Sequence, residues 1–322
     1  MNDWLLVLIA AQAVTAAVPL VLAGIGECLA QRAGVINVGI EGLLLSGCIA
    51  GYVGAVLSGC PWIGLLAALV AGAALAGLSA WATVMMRADQ IVVGMAINLL
   101  AVGGSGTAWM LVQGHGYAEL PPTAGFSRGL LLFLPDATRQ WLRDLPLLGP
   151  LLIDQYALAL VAAVLTLGAW GMLRTTRAGV IIQALGDAPD AAAAAGISVR
   201  GWRIALVVLA GALAGAGGAY LSIMRTHGFT PLMTGGIGFV VLALVIFGRW
   251  RIGGLVAACL GFGVLDSLQS HLQSRGLTQV VPFQLFQALP FIVALAALAA
   301  LKRGTTGPRM LGQPWPAERS GD

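Results

Sequence analysis

The chain has 322 residues, of which 59% are hydrophobic and only 9% are charged, and its mean hydropathy is +0.91. Charged residues usually make up about a quarter of a soluble domain, so this composition excludes a soluble fold and predicts a membrane protein with several spans. The formal net charge is +4, but the arginines lie between apolar runs and therefore indicate membrane topology rather than binding to nucleic acid.

Apolar runs follow one another along almost the whole chain. They cover residues 4–26, 37–57, 62–86, 90–112, 155–173, 204–224, 234–248, 252–272 and 284–301. Most reach the length of about 20 residues that a membrane-spanning helix needs. The run 234–248 is too short, which predicts a half-helix or re-entrant segment of the kind found in transporters. The sequence therefore predicts an all-α, polytopic membrane protein with about nine transmembrane segments, the range being eight to ten.

The basic residues predict the orientation of these segments. With nine crossings, twelve of the seventeen Lys and Arg residues fall in connections on one side and five on the other. Connections rich in Lys and Arg usually face the cytoplasm. This places the N-terminus outside and the C-terminus in the cytoplasm.

Residues 1–303 form the predicted transmembrane domain, and two regions outside the membrane differ in composition from it. The longest connection, 113–154, is assigned to the outside and is rich in proline. Either a cap that contacts a partner or a simple ordered connection fits it. The segment 304–322 contains three prolines and is predicted to be a disordered cytoplasmic tail.

The cytoplasmic connection 174–203 contains a candidate short helix. Gly186 and Asp187 precede Pro189, an alanine run follows, and Gly196 ends the pattern. Proline is accepted in the first turn of a helix, alanine is the strongest helix former and glycine is a common stop. A short exposed helix on the cytoplasmic face of a membrane bundle is suited to docking another protein.

Polar residues inside apolar runs are costly and are often functional. Asn37 and Glu41 are four residues apart and share a helix face, while Asn98 lies in the middle of its run. Glu41 fits either a buried pair with an arginine such as Arg32 or a polar wall of a solute path. Asn98 fits either an interhelical hydrogen bond or the same path. Asp266 is predicted to lie at an outward-facing polar end of its helix.

Glycine is frequent within the apolar runs. Gly211, Gly215 and Gly218 are about one turn apart, and the clusters 103–106 and 235–238 interrupt helical continuity. Such residues fit either close helix packing or unwound backbone that lines a cavity.

The motif search argues against catalysis by this chain. The sequence contains no G-x-x-x-x-G-K-[ST], no G-x-S-x-G and no H-E-x-x-H, and its cysteines and histidines lack metal-ligand spacing. The sequence therefore predicts no catalytic residue, no metal and no cofactor of its own.

Five stretches, in a fixed order, carry a resemblance to a known family. They are QRAGVINVGIEGLLLSG (31–47), QIVVGMAINLLAVG (90–103), LPLLGPLLIDQ (145–155), ALGDAPDAAAAAGI (184–197) and FVVLALVIFGRWRIGGLVAACLGFGVLDSLQSHLQ (239–273). Together they resemble permease subunits of bacterial ABC importers in the branched-chain amino acid/ribose permease superfamily. They are most similar to its nucleoside and simple-sugar branch, which works with basic-membrane-protein-type lipoprotein receptors.

The resemblance implies a role for each region. It implies the ABC importer permease fold with broken or re-entrant helices in the bacterial inner membrane. The segment 184–197 resembles the coupling helix, so contact with the ATPase would fall on Gly186, Asp187, Pro189, Ala192, Ala193 and Gly196. The implied partners are ATPase subunits that bind ATP, a second homologous permease and an extracytoplasmic substrate-binding lipoprotein.

The activity that the resemblance implies is translocation of a nucleoside or related simple-sugar-type solute by alternating access, and a nearly uncharged path suits such a neutral solute. Asn37, Glu41 and Asn98 are the candidates for lining that path. Branched-chain amino acids and ribose-like sugars are alternative solutes. An ion-coupled secondary transporter is the alternative from another class, because Glu41 lies deep in the membrane near a helix break.

Overall fold

The computed structural model describes residues 2–114, 157–274, 292 and 307–315. Every long regular element in these ranges is a helix, which confirms the predicted all-α class. The helices are α1 (Asn2–Arg32), α2 (Ile40–Ser58), α3 (Pro61–Ala80), α4 (Gln90–Gly114), α5 (Ala157–Thr175), α6 (Arg177–Asp187), α7 (Pro189–Ala194), α8 (Val199–Ala219), α9 (Ile237–Phe247) and α10 (Ile252–Ser274). α3 and α8 continue into short π-helical segments, Trp81–Met85 and Tyr220–Arg225.

Seven of the described helices are long and apolar enough to cross a membrane, so the polytopic character of the chain is confirmed. They correspond to all but two of the predicted runs. The short run forms α9, whose 11 residues span only about 16 Å at the rise of an α-helix and therefore cannot cross a bilayer. The last run, 284–301, and most of the connection 113–154 lie outside the described residues.

The helix ends follow from local chemistry. Between α2 and α3, Gly59 adopts a left-handed conformation with φ 66°, and Pro61 occupies the first turn of α3. The left-handed conformation favours glycine because glycine has no Cβ. The first turn of a helix accepts proline because no amide hydrogen is needed there. These two residues make a tight connection between neighbouring spans.

The core of the bundle forms where α1, α2, α3 and α8 meet. The α8 glycines allow this close approach. A Cβ atom on Gly215 would run into the backbone of Ala68 and Gly72, and one on Gly218 would run into that of Leu44. The packing interpretation of the α8 glycines is therefore confirmed.

The cluster 103–106 lies within α4 and does not interrupt it. A Cβ atom added to any of its three glycines would meet no other atom within 4 Å, so these glycines do not serve close packing within this chain. The cluster 235–238 is a true interruption, because Gly235 and Gly236 have φ of 55° and 90° just before α9 begins.

Residues 307–315, named here the C-terminal strap, differ from the predicted disorder of 304–322. Their backbone amides hydrogen-bond to the connection between α1 and α2 and to the end of α6. Such bonds fix a segment that composition alone marks as disordered, because proline and glycine in the strap make turns rather than preventing docking. The remaining residues of the predicted tail lie outside the described ranges.

Candidate coupling site and polar junction

The connection 174–203 folds into two helices instead of the single short helix predicted at its centre. The Thr176 hydroxyl accepts a hydrogen bond from the Gly179 amide at 3.4 Å and begins α6. The chain then turns at Ala188, and Pro189 begins α7. Gly196 follows α7 with φ 79°, a left-handed conformation that suits glycine at a helix end.

The predicted coupling residues divide into two groups by exposure. Asp187 and Gly196 are exposed and Ala193 is half-buried, whereas Gly186, Pro189 and Ala192 are buried. The remaining exposed residues of α7 are Asp190, Ala191 and Ala194. One face of α7 is therefore held by the protein, and the other presents small side chains and one carboxylate to the surroundings.

Gly186 is buried because two segments close over it. A Cβ atom there would collide with the carbonyl oxygen of Arg32 and would come within 3.1 Å of the Pro308 ring. The Gly186 carbonyl accepts a hydrogen bond of 2.8 Å from the Met310 amide. Glycine at this position thus lets the end of α1 and the C-terminal strap reach the junction of α6 and α7.

The C-terminal strap also binds both carboxylates of the α6–α7 junction. The Arg309 amide donates to Asp187 Oδ1 at 3.3 Å, and the Trp315 indole donates to Asp190 Oδ1 at 2.8 Å. At the other side of the strap, the Gly312 amide donates to the Gly34 carbonyl at 3.0 Å. The strap therefore joins α6 and α7 to the connection between α1 and α2.

Arg203 connects the same three regions from the inside. Its side chain is only 3% exposed, and its guanidinium donates to the carbonyls of Ala33 at 2.9 Å, Leu185 at 3.2 Å and Gln313 at 3.1 Å. The planar guanidinium carries five N–H donors in a fixed geometry, so it can satisfy several carbonyls at once. One buried side chain thereby fixes α6, the strap and the α1–α2 connection relative to α8.

The α1–α2 connection, residues 33–39, is mostly buried, and several of its backbone amides donate hydrogen bonds to side chains. Glu27 Oε1 accepts from the Asn37 amide at 3.1 Å and from the Gln31 side chain at 2.9 Å. The side-chain oxygen of Gln31, Oε1, in turn accepts from the Trp250 indole at 2.8 Å. Asn37 Oδ1 accepts from the Gly39 amide at 3.2 Å, in the turn just before α2. We call Glu27, Gln31, Asn37, Gln90 and Asn98 the polar junction.

Two side chains of α4 complete the polar junction. Gln90 Oε1 accepts from the Ile36 amide at 2.8 Å. Asn98 uses both ends of its amide, accepting from the Gly42 amide at 2.8 Å and donating to the Val38 carbonyl at 3.1 Å. Backbone groups buried in a membrane bundle need such partners, because lipid offers none. Asn98 thus forms the interhelical hydrogen bonds that were one of its two interpretations.

Glu41 lies at the start of the half-helix α9. Its carboxylate accepts from the Thr234 hydroxyl at 2.6 Å, the Gly236 amide at 2.8 Å and the Gly238 amide at 2.6 Å. The first amides of a helix lack intrahelical partners, and a carboxylate is the preferred partner at this positive end. Glu41 therefore caps α9 from a neighbouring helix. These donors take the place of an arginine such as Arg32, the pairing that was one of the two interpretations of Glu41.

Asp266 also has a partner. Its carboxylate forms an ion pair with Arg225 at 2.9 Å, and both side chains are about one-third exposed.

Within the described ranges, no group of three or more His, Cys, Asp or Glu side chains could hold a metal ion.

Sequence reasoning missed Arg203, Gln90 and the strap as parts of this site. Arg203 carried one weak signal, since it lies in the first turns of α8, where a cation is unfavourable next to the positive helix end unless it has partners elsewhere. Gln90 begins its apolar run, a position where polar residues are common. The strap gave no pattern that predicts its contacts.

Seven apolar spans, a half-helix capped by a carboxylate and a pair of short anchored helices define a multi-pass transport protein. The family model for the permease component of branched-chain amino acid transport systems matches residues 9–300, so the chain belongs to that family. It is a transporter permease subunit and not an enzyme. Membership implies that it works with ATPase subunits and a substrate-binding protein.

Three permeases with assigned solutes are similar to this chain over most of its length. The guanosine ABC transporter permease protein NupQ of Bacillus subtilis is 31% identical over 93% of each chain. The nucleoside ABC transporter permease protein NupC of Lactococcus lactis is 30% identical over 91% of this chain and 92% of its own. The putative glucose ABC transporter permease protein TsgC13 of Haloferax volcanii is 32% identical over 82% of this chain and 77% of its own. No solved structure matches the chain.

Proposed function

We propose that this chain is an inner-membrane permease subunit that carries a nucleoside or a related sugar-type solute into the cell, driven by ATP hydrolysis in partner subunits. The observation that carries the mechanism is the two-faced α7, buried through Pro189 and Ala192 and exposed through Ala191 and Ala194. A groove on an ATPase subunit would receive the exposed face. The buried face passes the movement to the bundle.

The anchoring of α7 supports this role. A docking helix on a loose loop would move without moving the membrane helices. Here Arg203 and the C-terminal strap bind α6 and the α1–α2 connection through hydrogen bonds of 2.8–3.3 Å. The polar junction then links that connection to α4, and Glu41 at the start of α2 links it to α9.

The cap on α9 favours a neutral solute. In several transporters the positive N-terminus of a half-helix binds an anionic group of the substrate. In this chain Glu41 occupies the N-terminus of α9 and neutralises it. An amino acid carboxylate finds no such site there, which favours a nucleoside or a sugar over branched-chain amino acids. The names of the relatives point the same way, since two are permeases for nucleosides and one is for glucose.

The contacts of Glu41, on which the ion-coupled alternative rests, also favour ATP over an ion gradient as the energy source. Coupling to protons requires a carboxylate that changes its partners during transport. Both oxygens of Glu41 accept hydrogen bonds from the region of α9, and Asp266 pairs with Arg225. The ATP itself would be bound by the partner ATPase subunits, because the sequence lacks a phosphate-binding loop.

The assembly that we propose contains this chain, a second homologous permease, two ATPase subunits and an extracytoplasmic lipoprotein that delivers the solute. The C-terminus and the strap would lie in the cytoplasm with α6 and α7, and the N-terminus would lie outside. Asn37, Glu41 and Asn98 would act on the solute path by fixing its helices, since each binds backbone groups.

Replacing Ala191 and Ala194 together by glutamate tests the docking surface. Both side chains are exposed, so the chain should fold and insert, while bulky charge on the small face of α7 should abolish co-purification with the ATPase. Ala88→Glu is the matched control, because Ala88 is an exposed alanine in the connection that leads into Gln90 at the same end of the bundle. Undiminished co-purification of the double variant would show that α7 is not the docking helix.

Uptake by cells that express the whole system tests solute and energy source together. Labelled guanosine should be taken up, with competition by other nucleosides stronger than competition by glucose or leucine. Uptake should stop when ATP is depleted and survive collapse of the proton gradient. Survival without ATP combined with loss on collapse of the gradient would identify a secondary transporter instead.

A further inference from the structure

A basic cleft of about 380 Å³ opens at the end of the bundle that carries α6 and α7. Arg32, Arg174 and Arg251 line it, together with Trp170, Gln183 and the first turn of α10. No carboxylate lines the cleft among the described residues, and none of the three arginines forms an ion pair within those ranges. Three cations around one space repel each other unless an anion lies between them.

The rest of the lining also suits an anion. Gln183 provides an amide donor, and the first amides of α10, at residues 252–254, have no intrahelical partner. A Cβ atom on Gly253 would meet nothing within 4 Å, so the backbone there is open to a ligand. The positive end of the 23-residue α10 adds to the field of the arginines.

The position of the cleft identifies the source of the anion. Arg32 ends the span of α1, Arg174 lies in the last turn of α5, and Arg251 directly precedes the span of α10. All three arginines therefore lie at one membrane boundary. Trp170 lines the same space beneath Arg174, whose guanidinium carbon is 4.6 Å from the centre of the indole ring, and Leu173 adds an apolar wall. Tryptophan and arginine at this level are typical of contact with lipid headgroups.

We propose that this cleft binds a phosphate-bearing anion, the headgroup of an anionic phospholipid, between α1, α5 and α10. The arginines and the α10 amides bind the phosphate, and Trp170 and Leu173 pack against the start of the acyl chains. The bound lipid then links α5, which contributes few buried residues, to α1 at the base of the coupling helices. This inference does not depend on which solute is transported.

Binding of defined lipids to the purified full-length chain tests the site. Delipidated protein is titrated with dioleoyl phosphatidylglycerol, dioleoyl phosphatidylcholine or inorganic phosphate, and the rise in Tm gives an apparent affinity. Phosphatidylglycerol should bind more tightly than phosphatidylcholine. In the double variant Arg174→Gln/Arg251→Gln its affinity should fall roughly 25-fold, at about 1 kcal/mol per arginine. Arg87→Gln, at an exposed arginine of the same end, should bind like the unmodified chain.

A second variant separates a binding role from a structural one. An added Cβ at Gly253 meets no atom within 4 Å, and in Gly253→Asp a carboxylate in the first turn should stabilise α10. Its Tm without lipid should hold or rise, while its response to phosphatidylglycerol should disappear. A rise in Tm with inorganic phosphate equal to that with phosphatidylglycerol would also support the site, with free phosphate as its ligand.

Two outcomes overturn the proposal. One is an equal response of the unmodified chain, the double variant and Gly253→Asp to phosphatidylglycerol. The other is a double variant that keeps its lipid response but loses co-purification with the ATPase, which would assign the arginines to the protein partner.

Discussion

Helices α8 and α4 are both glycine-rich apolar spans, yet they have opposite environments. In the most apolar 18-residue stretch of each helix, 72% of the residues are buried in α8 and 22% in α4. The glycines of α8 lie against the backbones of α2 and α3, while Gly103 and Gly104 of α4 face open space. Small residues at helical spacing therefore indicate that a close approach is possible, and the partner helix decides whether it occurs.

The two helices nevertheless bind the same connection, residues 33–39. α8 reaches it with Arg203, which donates to the Ala33 carbonyl. α4 reaches it with Gln90 and Asn98, which bind Ile36 and Val38. A helix can thus be largely exposed and still be fixed, because a few hydrogen bonds to buried backbone replace an apolar interface.

The largest effect is expected where backbones touch. Gly215→Leu should prevent the packing of α8 on α3, since its Cβ would overlap the backbone of Ala68. We expect a loss of stability above about 4 kcal/mol, seen as absence of a monodisperse peak in fluorescence-detected size-exclusion chromatography.

The matched change on α4 is Gly103→Leu, where an added Cβ meets no atom within 4 Å. Leucine is the better helix former by roughly 0.8 kcal/mol, so this variant should keep its elution profile and Tm. Equal damage by both substitutions would contradict the contrast between the two helices.

Arg203 should give the next largest effect. Arg203→Gln removes a buried charge-assisted donor from three carbonyls, and we expect a loss of about 3 kcal/mol together with uncoupling of ATP hydrolysis from uptake. Tm and the ratio of solute transported to ATP hydrolysed measure the two effects. Arg200→Gln, one turn earlier on α8, is the control. A normal transport ratio in Arg203→Gln would remove Arg203 from the coupling path.

Asn98 tests the polar attachment of α4. Asn98→Leu leaves the Gly42 amide and the Val38 carbonyl without partners, at a cost of about 1–2 kcal/mol. Lower Tm with an unchanged Km for uptake would support a role in fixing the helices. A raised Km at unchanged Tm would instead place Asn98 in contact with the solute. Gln113→Leu, at an exposed position near the other end of α4, should change neither quantity.

Trp315 should give the smallest effect. Trp315→Phe keeps an aromatic ring but loses the hydrogen bond to the exposed Asp190, which is worth about 0.5–1 kcal/mol. Faster proteolysis within the C-terminal strap should report its release, while Trp81→Phe, at an exposed tryptophan of the π-helical segment that follows α3, should leave the rate unchanged. An unchanged cleavage rate in Trp315→Phe would show that this bond does not hold the strap.

Hydrophobicity was sufficient to predict most of the fold. Spans of about 20 apolar residues carry their own signal, so the seven long helices and the short α9 agree with the predicted runs. Pro189 and Gly196 likewise mark α7 through local backbone preference. The sequence does not predict α6, because its amphipathic pattern is only 11 residues long.

The contacts of the site could not be read from the sequence in the same way. Glu41 and Asn98 stood out as costly polar groups, but their partners lie 56–197 residues away in the chain. No local rule connects Asn98 to Gly42 or Glu41 to Gly238. The strap was misjudged for the same reason, since composition predicts disorder without regard to a docking surface formed elsewhere.

The strap also sets an order of events during synthesis. Residues 307–315 are translated after all seven described spans, and the last guanidinium contact of Arg203 is to Gln313. A nascent chain therefore inserts its helices before the docking face of α7 acquires its final support. We therefore expect an ATPase that docks on α7 to bind only after translation has passed the strap.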